Sequence, residues 1–135
     1  MRRRAACNDE RGAAAVEFAL VLPLLILLIF GIVVFSFAYN EKQALHAAAR
    51  EGARLGSLPT TTETEIENRV TSSLEGVVTS STPIISIDPD VDQPCLDRTG
   101  ETVVVSVSAD VNVNIPLWPG SSTVTMTGKG EFRCE

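Results

Sequence analysis

The chain has 135 residues, enough for one domain-sized unit with an appendage. Hydrophobic residues make up 44% and charged residues 21%, too apolar for a disordered chain. A formal charge of −6 excludes the basic surface of a nucleic-acid binder. One histidine and three scattered cysteines, with no C-x-x-C or H-E-x-x-H, offer no zinc-site pattern, and no cofactor is implied.

The averages hide a partition. From Phe18 to Tyr39 the sequence reads FALVLPLLILLIFGIVVFSFAY, without a charged residue. As a helix these positions span about 33 Å, enough for a hydrocarbon core of about 30 Å. A cleavable secretory signal carries a shorter apolar stretch, about 7–15 residues, so a membrane-spanning helix is the better reading. Pro23 removes one backbone donor inside it, which predicts a kink or local loosening. Arg2, Arg3, Arg4 and Arg11 precede the apolar run, whereas Glu41 and Lys42 follow it and cancel. The positive-inside rule then keeps the N-terminus cytoplasmic and exports the rest. From residue 40 onward there are 7 Lys+Arg against 14 Asp+Glu, a net of −7.

Glu17 stands at the head of the apolar run, behind the uncharged Ala13–Val16. A carboxylate at a bilayer's centre costs about 2.5–3.5 kcal/mol, and less near the interface. Glu17 is therefore either an interfacial charge reaching back to water or one with a partner inside the membrane.

The string Gly12-Ala-Ala-Ala-Val-Glu17-Phe18, after a short basic leader and before an apolar helix, resembles a type IV prepilin cleavage site. The wider RGAAAVEFALVLPLLILLIFGIV, with AAREGARLGS downstream, is similar to TadE-like proteins of tight-adherence (Flp) pilus systems. That resemblance covers residues 11–56 closely and the remainder in layout only. It implies cleavage between Gly12 and Ala13 by a membrane aspartyl prepilin peptidase, with Gly12 entering an extended, close-fitting site. It also implies that Glu17, with Phe18 beside it, pairs with the new Ala13 amine of a neighbouring subunit and sets assembly register. Unpaired charges in lipid are costly, so such pairing would favour association.

Residues 40–58, NEKQALHAAAREGARLGSL, are strong helix formers, so the helix is expected to continue outside the membrane to about Leu58. Leu45, Ala48, Ala49, Gly52 and Leu55–Gly56 fall near one stripe, whose small residues would let another surface pack closely. His46 reads as an ordinary surface histidine. Arg50, Glu51 and Arg54 read as a solvated face.

Pro59 ends this helix, and Thr62-x-x-Glu65 is a capping-box pattern that starts another. Ile66, Val70 and Leu74 give it one narrow apolar face, and Gly76 marks its end. Ile85 and Ile87 form a short strand-like run. From Val103 to Ile115 every odd position is apolar, a long period-two strand with one buried face. Pro116-Leu-Trp-Pro-Gly120 makes the turn. The return strand places Val124, Met126 and Phe132 on one face and Thr123, Thr125, Thr127, Lys129 and Glu131 on the other.

These readings give an α+β chain: a long N-terminal helix, a short second helix and a small antiparallel sheet of about three strands. Its expected segments are a cytoplasmic leader 1–12 that is removed, a transmembrane helix 13–39, its continuation 40–58 and a head 59–135. So small a head needs added support. A Cys95–Cys134 disulfide in an oxidising exterior would supply it, while Cys7 lies in the leader. Asp88, Asp90 and Asp92 alternate as calcium ligands can, but the glycine and distal glutamate of an EF-hand loop are missing, and a solvated acidic loop is the stronger reading.

The leading functional expectation is a non-enzymatic minor pseudopilin of a tight-adherence pilus, in the bacterial inner membrane with its head outside. Its partners would be membrane lipid, the prepilin peptidase, other pilins or pseudopilins and the assembly platform. The alternative is a bitopic anchor for an outer binding domain that is not processed as a pilin. Nucleophilic chemistry has no support, since the sole histidine has no serine or cysteine motif beside it. A major, filament-forming pilin of these systems would be very short, so the head argues for a minor subunit.

Overall fold

The computed structural model describes residues 10–76, 81–114 and 120–135. Arg2–Arg4, Cys7, and the expected strand end at Ile115 and expected turn over Pro116–Pro119 lie outside them. The described elements are α1 (Glu10–Gly56), α2 (Glu63–Ser73), β1 (Ile84–Asp88), β2 (Thr102–Asn114) and β3 (Ser121–Arg133). They form an α+β fold whose single sheet is antiparallel with order β1-β2-β3.

Helix α1 is 47 residues long, about 70 Å at the α-helical rise, and Pro23 lies inside it. It has two distinct halves. Up to Val33 it is almost wholly exposed, with Leu20 and Leu24 each 70% or more accessible, so its apolar surface has no partner among the described residues. Beyond Glu41 one face is buried: Leu45, Ala48, Ala49, Gly52, Ala53 and Gly56. These positions follow the i, i+3, i+4, i+7 pattern that puts residues on one helical stripe. α1 ends two residues earlier than its composition suggests. Ser57 closes it, its backbone amide donating to Ala53 O at 3.0 Å and its hydroxyl to Arg54 O at 2.8 Å.

The N-terminus of α2 is a complete capping box. The Thr62 amide donates to Glu65 Oε2 at 3.0 Å, and the Glu65 amide to Thr62 Oγ1 at 3.4 Å. Ile66, Val70 and Leu74 are buried against α1, and Gly76 takes a positive φ of 86° just past the helix, where a side chain would be strained.

In β2, Val103, Val105, Val107, Ala109 and Val111 are buried, one strand face packed on the helices. Burying a valine side chain is worth roughly 1.5–3 kcal/mol, so each valine of this row adds to the head's stability on that order. The opposite face is polar, and its cross-strand pairs are bonded: Ser108 with Thr127 at 3.0 Å, Thr125 to Asp110 at 2.7 Å and Thr123 to Asn112 at 3.0 Å.

The inner face of β3 departs from the expectation that Val124, Met126 and Phe132 bury as a row. Met126 packs against the core, but Val124 is 42% and Phe132 37% exposed. The buried positions between them are Gly128 and Gly130, on which α1 rests directly.

Cys95 and Cys134 form a disulfide, with Cα atoms 5.3 Å apart, joining the loop before β2 to the residue after β3. Cys134 is also held by backbone bonds to Glu101 O and from the Gly100 amide.

Candidate functional site

The residues singled out for processing and assembly lie on the first turns of α1. Gly12, Ala13, Glu17 and Phe18 are all exposed, and nothing lies within 4 Å of where a Cβ on Gly12 would stand. Ala13 and Glu17 are four apart, which puts them on one side of the helix about 6 Å apart along its axis. Among the described residues Glu17 forms no ion pair, and Phe18 has no ring contact.

The Gly12–Ala13 bond lies within α1 and is helical rather than extended.

The outer half of α1 positions two groups of charge. Glu51 reaches α2, accepting from Arg69 Nη2 at 2.6 Å and Nε at 3.1 Å, with Arg54 a turn away at 3.6 Å. The bond from Arg69 holds the Glu51 carboxyl below its ordinary range. These residues line an open cleft of about 610 Å³ with Leu55, Leu58, Phe132 and Glu135. Arg54 and Arg69 share it with Glu51 and Glu135, so it has no uniform charge to offer a ligand.

Glu41 is the first charged residue after the apolar run. It lines a second, largely apolar recess of about 360 Å³ with Val34, Phe37, Ala38, Val111, Asn112 and Val113. Among the described residues its Oε2 is enclosed without a hydrogen-bond partner, and desolvation raises the carboxyl above its ordinary range.

Two roles were not legible in advance. His46 Nδ1 accepts the Lys129 backbone amide at 3.2 Å, closing an otherwise open donor on the edge strand β3. Gly128 and Gly130 are the contact surface for the helix. Asp88, Asp90 and Asp92 are exposed and do not converge. Among the described residues no group of three or more acidic, histidine or cysteine side chains is placed to hold a metal ion. The Asp92 carbonyl instead accepts the Glu63 amide at 2.7 Å, where α2 begins.

The exposed apolar half of α1 is long enough to cross a membrane once. Together with Gly12 and Glu17 at its start and the small-residue face at its end, it is the segment that comparison with known families singles out. Residues 12–54 match the TadE-like protein family. The TadE-like segment is just under a third of the chain and lies wholly within α1, leaving α2 and the sheet outside the match. The TadE-like family is associated with Tad pili. No curated protein and no solved structure matches the chain.

Proposed function

We propose that this chain is a non-enzymatic minor pseudopilin of a tight-adherence pilus system, anchored in the bacterial inner membrane with its head outside. The observation that carries the reading is the coincidence of the TadE-like match with α1, whose apolar half has no partner among the described residues. Such a surface calls for lipid or another apolar helix. In this reading the peptidase cuts between Gly12 and Ala13, and Glu17 then docks against the Ala13 amine of a neighbouring pilin-like subunit. The head, with its net negative outer segment, faces the assembly platform or the pilus.

The test is the mature N-terminus, measured by intact mass and N-terminal peptide mapping from cells with and without prepilin peptidase. A chain that begins at Ala13 only when the peptidase is present supports the reading. A chain that keeps residues 1–12 in both strains overturns it in favour of a plain bitopic anchor.

A further inference from the structure

Charge is unevenly spread over the head. Residues 63–97 hold eight acidic groups and one basic, a net of −7, which is the whole net charge from residue 40 onward. The remaining stretches, 40–62 and 98–135, are balanced at six basic groups against six acidic. Folding sets the acidic part on one edge. It supplies α2 and β1, and β1 is the edge strand on the far side of the sheet from β3. Arg69 turns toward α1 to meet Glu51, while Glu67, two residues earlier, projects from the other side of α2. Asp88, Asp90 and Asp92 run on, exposed, from the end of β1, and the Asp92 carbonyl accepts the Glu63 amide where α2 begins.

The opposite edge is a seam between α1 and β3. Lys42, His46, Arg50 and Arg54 recur every four residues along α1, a row about 18 Å long. His46 reaches the Lys129 amide on the free edge of β3, and the Arg50 backbone lies against Gly130, so the row runs beside that strand. Lys42, Arg50 and Arg54 are exposed, as is Arg133 at the end of β3. Among the described residues Lys42, Arg50 and Arg133 form no ion pair, whereas Lys129 and Glu131 offset each other at 3.8 Å.

The two edges stand at one height. Ile87, Val105 and Gly130 are opposed across the sheet, and Gly130 meets α1 at Ala49 and Arg50, so Asp88 and Arg50 lie level on opposite sides. Ile66 packs at Gly56, which brings the start of α2 level with the end of α1 near Arg54. β3 runs in the direction of α1, from Gly128 at Leu45 to Gly130 at Ala49. With α1 crossing a membrane, the sheet edges therefore face sideways along it.

Two copies upright in one bilayer then meet edge to edge. A two-fold axis along the membrane normal would set like charge on like charge, whereas a head-to-tail arrangement sets opposite charges together. Anionic headgroups reach Lys42 but not Arg54, which stands about 18 Å farther along the helix, beyond a headgroup layer of about 5–8 Å. We infer that the Lys42–Arg54 seam is a docking surface for the acidic α2–β1 edge of a second copy of this chain, side by side in the membrane. The inference rests on the membrane-spanning reading of α1 and not on cleavage at Gly12.

Full-length chains would be labelled with donor or acceptor dyes at Cys7, the one cysteine outside the Cys95–Cys134 bridge, and mixed in phosphatidylcholine vesicles. Energy transfer should report association at about 0.1 M salt that falls at about 1 M, as the screening length drops from about 10 to about 3 Å. Arg50→Glu and Asp88→Lys should each weaken association about fivefold or more, since reversal turns an attraction into a repulsion. The chain with both changes should recover to within about twofold of the native one, because each copy then offers the swapped pair to the next. Equal transfer in the native chain and both single variants, in chains that resist alkaline extraction, would overturn the docking and leave the anchor standing. A double variant no better than the singles would also overturn it. Association that appears only once phosphatidylglycerol is added would assign the seam to lipid and overturn the pairing of copies. Chains that alkali releases from the vesicles would overturn the membrane-spanning reading itself, and the docking with it.

Discussion

Gly130 lies flat against the backbone of Ala49: a Cβ on this strand glycine would overlap the Ala49 carbonyl and the Arg50 amide nitrogen. Four residues down the helix and two down the strand, Gly128 repeats the relation with Leu45 and His46. Two steps of strand are about 6.6 Å and four of helix about 6 Å, so the two periods stay in register over this contact. Sheet and helix thus meet backbone to backbone, with alanines and glycines supplying the closeness.

Gly130→Ala should accordingly be among the most damaging single-methyl additions in the head. The obstacle is main chain, which cannot rotate aside, so a cost at the upper end of about 1–3 kcal/mol is expected. Gly52→Ala is the comparison. Its new methyl would meet the Val70 Cγ2 side chain, which can shift, so its loss should be smaller. Urea unfolding of the two variants in detergent micelles checks the order, and equal losses would count against the backbone contact.

The Cys95–Cys134 bridge closes a loop across a sequence separation of 39, containing all of β2 and β3. Chain-entropy reasoning assigns such a loop about 3–4 kcal/mol of stabilisation when the bridge is unstrained. Cys134→Ser, or reduction of the native chain, should lower the unfolding midpoint by a corresponding amount. Reduction should have no further effect on the Cys134→Ser variant. A midpoint unmoved by reductant would mean the bridge adds no stability to the head.

Much of this architecture is legible in the residues, for local reasons. The Thr62–Glu65 box and the odd-position valines of β2 each declare an element through neighbours in sequence, and the elements follow. What was missed depends on contacts between distant segments. Gly128 and Gly130 read as gaps in an alternating strand, because a glycine's lack of a side chain carries no signal about what approaches it. The alternation of Val124, Met126 and Phe132 predicted a buried row, yet the helix crosses at the glycines between them and leaves the ends open. His46 likewise gave no sign of reaching Lys129, 83 residues away. The candidate assembly residues rest on local pattern alone: Glu17 breaks an apolar run, and Gly12 stands five residues before it.

Glu41 gives a pH-dependent test of the recess beneath the head. Burial raises its carboxyl above the ordinary 4.5, and the residues lining the recess include no cation to offset this. Between 4.5 and the raised value the folded state holds more protons than the unfolded, so stability falls as pH rises through that interval and stays lower above it. Glu41→Gln should therefore raise the thermal midpoint at pH 7. Its advantage should shrink as the pH is brought below 4.5, where the native glutamate is protonated in both states. A gain independent of pH would point to packing rather than charge.

Glu17→Ala separates the two roles open to that residue. As an interfacial charge, Glu17 contributes little to residence in the membrane, and its loss should leave flotation with membranes and resistance to alkaline extraction unchanged. As a docking charge, it sets a penalty that a partner's amine relieves, so its loss should weaken subunit association by about tenfold or more, equivalent to about 1.4 kcal/mol. The measurement is the amount of this chain co-purifying with sheared pili and with the assembly platform, compared at equal membrane abundance. Glu17→Gln should fail similarly, because it keeps the shape and loses the charge. Glu17→Asp should recover part of the association, because it keeps the charge on a shorter arm. Normal pili with both neutral variants would leave Glu17 an interfacial charge, and register would then have to come from the apolar surface of α1.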